Sequence, residues 1–305
     1  MLNSSKTFVI AELSANHGND INIAIETIKA AKRAGADAIK LQTYTADTMT
    51  IDCDKDDFKI TQGTKWDGLF LHELYKEAAL PWEWHKKLYE VAKKENLICF
   101  SSPFDKSAVD FLEELNTPIY KIASFEITDI PLIKYVASKG KPMIISTGTA
   151  ALEDIELAVN TCRKEGNNDI TLLKCTSSYP APIEEANLVM IQDFKNKFNV
   201  KSGLSDHTLG IVTPVVAVAF GATVIEKHFI LNKDVGGPDA SFSLDEKEFT
   251  EMVTAIRNAE KAIGKVNYQL SENAKKSREF CRSIYISKDV LHGDVLTTDN
   301  IQTVR

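Results

Sequence analysis

The sequence predicts an α/β protein whose strands close into a (β/α)8 TIM barrel. Three observations carry that prediction. Eight short β-branched runs recur along the chain, helical stretches separate most of them, and the first βα turn lacks the G-x-G-x-x-G fingerprint of an open dinucleotide-binding sheet. Strands that alternate with helices form βαβ units and therefore a parallel sheet. Eight such units within residues 7–229 match the strand count and length of a closed barrel.

In chain order the strand candidates are TFVIAEL, ADAIKLQ, LICFSS, IYKIAS, PMIISTG, TLLKCTS, KSGLSD and TVIEKHF. Between them INIAIETIKAAKRAG, SAVDFLEELN, LEDIELAVNTCRKEG and TPVVAVAFGA carry apolar residues at helical spacing. Two stretches break the rhythm: a long excursion from Tyr44 to Trp84 after the second strand, and a glycine-rich loop from Leu231 to Asp245 after the eighth. Both follow strand C-termini, the side on which barrels build active sites. The catalytic domain is expected over residues 1–275. Residues 282–305 read as the start of a small β-rich module, too short for a core of its own, so this domain is expected to be incomplete.

Composition narrows the function. The chain has 305 residues, 44% hydrophobic and 26% charged, enough for a sizeable core. Its net charge of −7, with both signs interspersed and no basic block, argues against nucleic acid or an anionic membrane as partner. No signal-peptide architecture and no apolar run of membrane-spanning length is present. Five cysteines without CxxC spacing fit reduced thiols, so a cytoplasmic protein is expected.

The strand ends are chemically unusual. They offer Glu12, Lys40 with Gln42, Ser101 and Ser102, Lys121 then Ser124, Ser146 and Thr147, Lys174 with Thr176, Ser205 with His207, and Glu226 with His228. Alternation places Lys40 with Gln42, Ser205 with His207, and Glu226 with His228 on shared faces. Two histidines on neighbouring strands suit a divalent metal with open positions for substrate; ordinary polar strand ends are the other reading. Lys40 and Lys121, set among apolar residues, either pair with carboxylates such as Glu12 or Glu226 or neutralise an anionic ligand, and a Schiff-base lysine is a third possibility. Glu12 at the mouth suits a base or orienting group. His17 and Asp239 are read either as loop residues or as part of the site.

Through AELSANHG, AGADAIKLQTY, FSSPF, YKIAS, STG, KCTSSYP, GLSDH, VIEKHF and GGPD the chain resembles the sialic acid (nonulosonic acid) synthase family. The segments ELSANH, DDFKI, Trp66-Asp67 and ELY resemble its pseudaminate branch; the neuraminate and legionaminate branches, or less closely a metal-dependent aldolase, are the alternatives. The resemblance implies condensation of phosphoenolpyruvate with an amino-sugar aldehyde. It implies Mn2+, or another divalent ion such as Mg2+ or Co2+, on His207 and His228. Phosphoenolpyruvate would lie against Lys40, Ser102, Lys121, Ser124, Ser146, Ser177 and Ser205, and the sugar against Glu12, Gln42, Tyr179 and Asp239. Position 177, often Asn in the neuraminate branch, is Ser here. The resemblance further implies a C-terminal antifreeze-like (SAF) domain and a homodimer in which that domain covers the partner's site, with Arg305 reaching an acyl group of the sugar.

Overall fold

The structure, a computed structural model, describes residues 6–61, 63 and 66–305, so Gln62, Thr64 and Lys65 of the excursion lie outside the described residues. In chain order β1 (Phe8–Glu12), α1 (Ile21–Arg33), β2 (Ala38–Thr43), α2 (Ala46–Met49), α3 (Leu71–Ala78), α4 (Trp82–Lys94), β3 (Ile98–Pro103) and α5 (Lys106–Glu114) form the first half. The second half is β4 (Tyr120–Ile122), α6 (Ile130–Ala137), β5 (Met143–Ser146), α7 (Leu152–Lys164), β6 (Ile170–Cys175), α8 (Met190–Phe198), β7 (Lys201–Asp206), α9 (Val212–Ala219), β8 (Val224–His228) and α10 (Glu246–Ile263). The eight strands close into a parallel barrel in simple chain order, as the sequence predicts.

Local chemistry sets the helix starts. Asp20, Asp105 and Asp129 cap α1, α5 and α6 by accepting from backbone N–H groups that have no partner inside the helix. At the bottom of the barrel, Arg257 of α10 donates to Thr7 O at 2.8 Å and to Asp37 Oδ2 at 2.9 Å, and Val9 N donates to that same carboxylate at 2.8 Å. This latch holds the first strand where the barrel closes.

Strand alternation divides the interior into two levels. Phe8, Ile10, Ala38, Phe100, Ile119, Ile144, Leu173 and Val224 form one buried apolar floor inside the barrel. On the helix side, residues of opposite parity such as Val9, Ile39, Leu41, Leu204 and Ile225, or Ile122, Ile145 and Leu172, pack in two further clusters. Two residues beyond the floor, the same inner face becomes polar, carrying Glu12, Lys40, Ser102, Lys121, Ser146, Ser205 and Glu226. On β7 the floor position is Gly203, where a Cβ would lie 2.2 Å from Val224 O and 2.9 Å from Leu173 Cδ2, so neighbouring strands already fill the space.

The same parity corrects one sequence expectation. Leu173 belongs to the floor, so Lys174 points to the helix side, where its Nζ donates to Cys175 O at 2.7 Å and to Thr176 Oγ1 at 3.4 Å. Cys175, not Lys174, takes the inner position on β6.

The excursion is ordered around aromatic contacts: Tyr44 packs edge-on against Tyr75 and Phe104, and Trp82 Nε1 donates to Tyr44 O at 3.0 Å. Beyond Ile263 the chain forms a second compact unit, Gly264–Arg305. It contains α11 (Glu272–Arg278) and an antiparallel hairpin of β9 (Ser283–Ile286) and β10 (Ile301–Val304), with Ile301 opposite Ile286. All five cysteines are unpaired. Among the described residues, no helix is long and apolar enough to cross a membrane.

Candidate active site

Strand register builds the ring at the barrel mouth. Glu12 on β1 is level with Lys40 on one side and His228 on the other, Gln42 is level with Ser102, and Ser205 is level with Glu226. Lys40 Nζ lies 2.9 Å from Glu12 Oε2 and 3.4 Å from Glu226 Oε2, and Lys121 Nζ lies 3.5 Å from Glu226 Oε1. Ser205 donates to Glu226 at 2.8 Å, and Gln42 donates to Glu12 at 3.1 Å and to Ser14 at 2.9 Å. The lysines are therefore paired with carboxylates, the first of the readings the sequence left open.

The two carboxyls differ in their environments. Burial alone would raise both. At Glu226 the ammonium groups of Lys121 and Lys40 and the Ser205 hydroxyl outweigh burial and pull its pKa down to about 2. At Glu12 burial wins over Lys40, helped by the negative Glu226, and its pKa is raised. Two carboxyls pushed apart in this way suit one fixed charge and one proton carrier.

The imidazoles stand side by side. The register step after Asp206–Lys227 brings His207 level with His228, and their ring centroids are 5.2 Å apart. His207 Nδ1 lies 3.0 Å from the Thr176 carbonyl, which can only accept, so Nδ1 carries a proton. His228 Nδ1 lies 3.5 Å from Asp239 Oδ2, a carboxylate that also accepts from Ala15 N at 3.4 Å. Burial would raise Asp239, but His228 and the hydrogen bonds from Ser14 and Ala15 draw its pKa down to about 2. Tyr179 and Phe242 wall the pair, at 4.4 Å from His207 and 4.9 Å from His228. Among the described residues no group of three or more His, Cys, Asp or Glu side chains forms a complete cage. Two imidazoles with carboxylates close by nonetheless fit an ion that keeps several positions for water and substrate oxygens.

Hydroxyls line the adjoining wall, next to Cys175 and His207. Ser124 Oγ accepts from Gly148 N at 3.1 Å, and Ser146 Oγ is buried without a hydrogen-bond partner. A Cβ at Gly148 would sit 2.2 Å from Ser177 Oγ, 2.8 Å from Ser124 Oγ and 3.1 Å from Cys175 Sγ. Only glycine leaves these groups free to converge. Gly148→Ala is expected to weaken phosphate binding at least tenfold, measured by calorimetric titration, while circular dichroism stays that of the folded barrel. Unchanged binding would show that these hydroxyls do not meet the anion.

The sequence profile of the NeuB family spans residues 27–268 of this chain. The chain belongs to the NeuB family. It is 49% identical over 300 residues to a pseudaminic acid synthase of Campylobacter jejuni, covering 98% of this chain and 87% of that protein. An N,N'-diacetyllegionaminic acid synthase of the same species is 38% identical over 304 residues, covering 98% of this chain and 90% of the other. Among solved structures, the N-acetylneuraminic acid synthetase of Leptospira borgpetersenii, crystallised with citrate, superposes with a TM-score of 0.80 at 33% identity, covering 90% of this chain and 91% of that one.

Within this NeuB-family barrel, the ring gathers Glu12, Lys40, Gln42, Ser102, Lys121, Ser124, Ser146, Ser177, Tyr179, Ser205, His207, His228 and Asp239. Arg305, the other residue named from the sequence, belongs to the second unit, directly after β10. His17 is buried beside the ring: it bonds Ala78 O at 3.3 Å, accepts from Asn19 N at 3.1 Å, and its ring meets Trp84 edge-on.

Two inner-face residues of the NeuB-family site went unread in the sequence. Cys175 has its Sγ 3.7 Å from His207 Nδ1; burial would raise the thiol, but His207 lowers its pKa to about 7. Glu126, in a 3-10 turn after β4, has a buried Oε2 without a hydrogen-bond partner, and burial, opposed by Lys121, raises its pKa to about 7. A carboxyl with a folded pKa above its free value stabilises the fold fully below about 4.5 and loses that contribution as pH rises through about 7. Glu126→Gln is therefore expected to gain stability relative to the parent chain across that window. Urea unfolding at both ends checks this; a constant difference between the two proteins would contradict it.

Proposed function

We propose that this chain is a pseudaminic acid synthase. It joins phosphoenolpyruvate, 2,4-diacetamido-2,4,6-trideoxy-altrose and water into pseudaminate and phosphate. The observation that carries the reading is the ring itself: two buried lysines and a wall of hydroxyls meet a pair of imidazoles at one barrel mouth, in a chain most like the pseudaminic acid synthase among the relatives described.

The chemistry assigns roles around the ring. Lys40 and Lys121 set two ammonium groups against one firmly ionised carboxylate, Glu226, and one whose ionisation is disfavoured, Glu12. That leaves positive charge for phosphoenolpyruvate, with Ser102, Ser124, Ser146 and Ser177 donating to its oxygens and Ser205 lying against it while bonded to Glu226. Gln42, Tyr179 and Asp239 hold the sugar so that its aldehyde carbon meets C3 of phosphoenolpyruvate. A divalent ion on His207 and His228, Mn2+ in this reading, would supply Lewis-acid polarisation of the aldehyde oxygen. A C–C bond forms between C3 and the aldehyde carbon, the aldehyde oxygen takes the proton of the Glu12 carboxyl, and C2 becomes electron-poor. The Glu12 carboxylate then positions water against C2 and takes one of its protons. The C2–O bond to phosphate breaks with its electron pair going to phosphate, and the remaining hydroxyl proton on C2 passes to phosphate, leaving the keto acid. Glu126, able to gain or lose a proton near neutrality, is the second candidate for proton movement.

Residues 282–305, within the second unit, are proposed as the start of an antifreeze-like domain following a catalytic domain of residues 1–275. The protein is proposed to work as a cytoplasmic homodimer, in which Arg305 serves the partner's site; the family resemblance supports this part of the reading.

Competition between sugars tests the assignment. With phosphoenolpyruvate and Mn2+ present, an equimolar mixture of the trideoxy sugar and N-acetylmannosamine should yield only the mass of pseudaminate. A product made only from N-acetylmannosamine would move the chain to the neuraminate branch.

A further inference from the structure

The helix-facing sides of the strands are mostly uncharged, yet at the level of the two imidazoles that face carries a fully buried ion pair. Leu204 and Ile225 belong to the helix-side core, and two residues further along the same face stand Asp206 and Lys227. Both side chains are 1% exposed, and Lys227 Nζ bonds Asp206 Oδ2. Lys227 also donates to the carbonyl of Thr208. Asp206 in turn accepts from Thr208 N at 3.1 Å and from Thr208 Oγ1 at 3.2 Å, and Thr208 Oγ1 bonds Thr213 Oγ1 of α9 at 3.0 Å.

The placement of this network is informative. Asp206 and Thr208 are the two backbone neighbours of His207, and Lys227 immediately precedes His228. One ammonium group thus grips both sides of the first imidazole from the strand that carries the second. Burying an ammonium and a carboxylate costs several kcal/mol each before their attraction is counted, and well-packed apolar residues usually hold a core equally well. Stability alone does not call for charge here. A rigid link between the two histidine backbones does, because metal affinity depends on ligands held in place by the groups behind them.

We propose that Asp206 and Lys227 are positioning residues that set the spacing and direction of the His207 and His228 imidazoles for a divalent cation. This rests on the reading of those histidines as metal ligands. The pair does not touch substrate. It acts on the opposite side of the strands, through the backbone.

The test separates the link from the fold. The double variant Asp206→Leu with Lys227→Met replaces the ion pair by apolar side chains and leaves no buried charge unpaired. Mn2+ binding is read by electron paramagnetic resonance of the free ion during titration, and folding by thermal melting. The expected result is a melting temperature close to that of the parent chain, with the Mn2+ dissociation constant raised about ten- to a hundredfold. A folded double variant that binds Mn2+ as tightly as the parent overturns the proposal. If the double variant does not fold, Thr208→Val decides: it keeps the backbone and removes the hydroxyl's bonds to Asp206 and Thr213. A several-fold weaker Mn2+ affinity then supports the link, and an unchanged one overturns it. A parent chain that binds no Mn2+ overturns the metal reading and this inference together.

Discussion

His228→Ala is expected to lose bound Mn2+ and to lower turnover by about a thousandfold, equivalent to roughly 4 kcal/mol of transition-state stabilisation. The barrel should survive, because the ring of His228 lies at the mouth and Asp239 keeps its bond from Ala15 N. His207→Ala should behave alike, since the two rings occupy one level of the sheet. Metal content after dialysis and the rate of phosphate release are the readouts. A variant that keeps full activity in the presence of chelator would remove the metal from the account.

The second large effect is expected at Glu226. It faces both Lys40 and Lys121 from the centre of the ring, and among the described residues it is the carboxylate in ion-pair reach of Lys121. Glu226→Gln keeps the shape but removes the carboxylate that both buried ammonium groups share. Breaking one side of a buried ionic network costs about 3–5 kcal/mol, which for a chain of this size lowers the melting temperature by about 5–8 °C. Inorganic phosphate should restore part of that loss, since an anion in the ring replaces the missing charge. A melting temperature that stays put, with or without phosphate, would contradict the charge balance described for the ring.

Much of this architecture was legible because period-2 alternation and a parallel barrel leave few choices. Each strand run places a floor residue, then a ring residue two positions on, so Ala38 leads to Lys40 and Ile119 to Lys121. The parity of β6 was not legible: TLLKC offers no alternation of its own, and the polar Lys174 drew attention from Cys175. Glu126 escaped because it sits in a turn after the strand, where no period applies. Asp206 and Lys227 escaped because the helix-facing side of a barrel strand is expected to be apolar. Pairing of the lysines with Glu12 or Glu226 was legible only as one of three readings. Glu226 is far from Lys40 and Lys121 in sequence, and barrel closure, which sets β8 beside β1, brings the three together.

The most direct test of the central claim is phosphate release from phosphoenolpyruvate, measured with the sugar and Mn2+ present together and with each left out in turn. The account predicts release only when both are present, in step with formation of the nine-carbon keto acid and abolished by chelator. Carbon–carbon bond formation without phosphate release, or release that needs neither sugar nor metal, would contradict it.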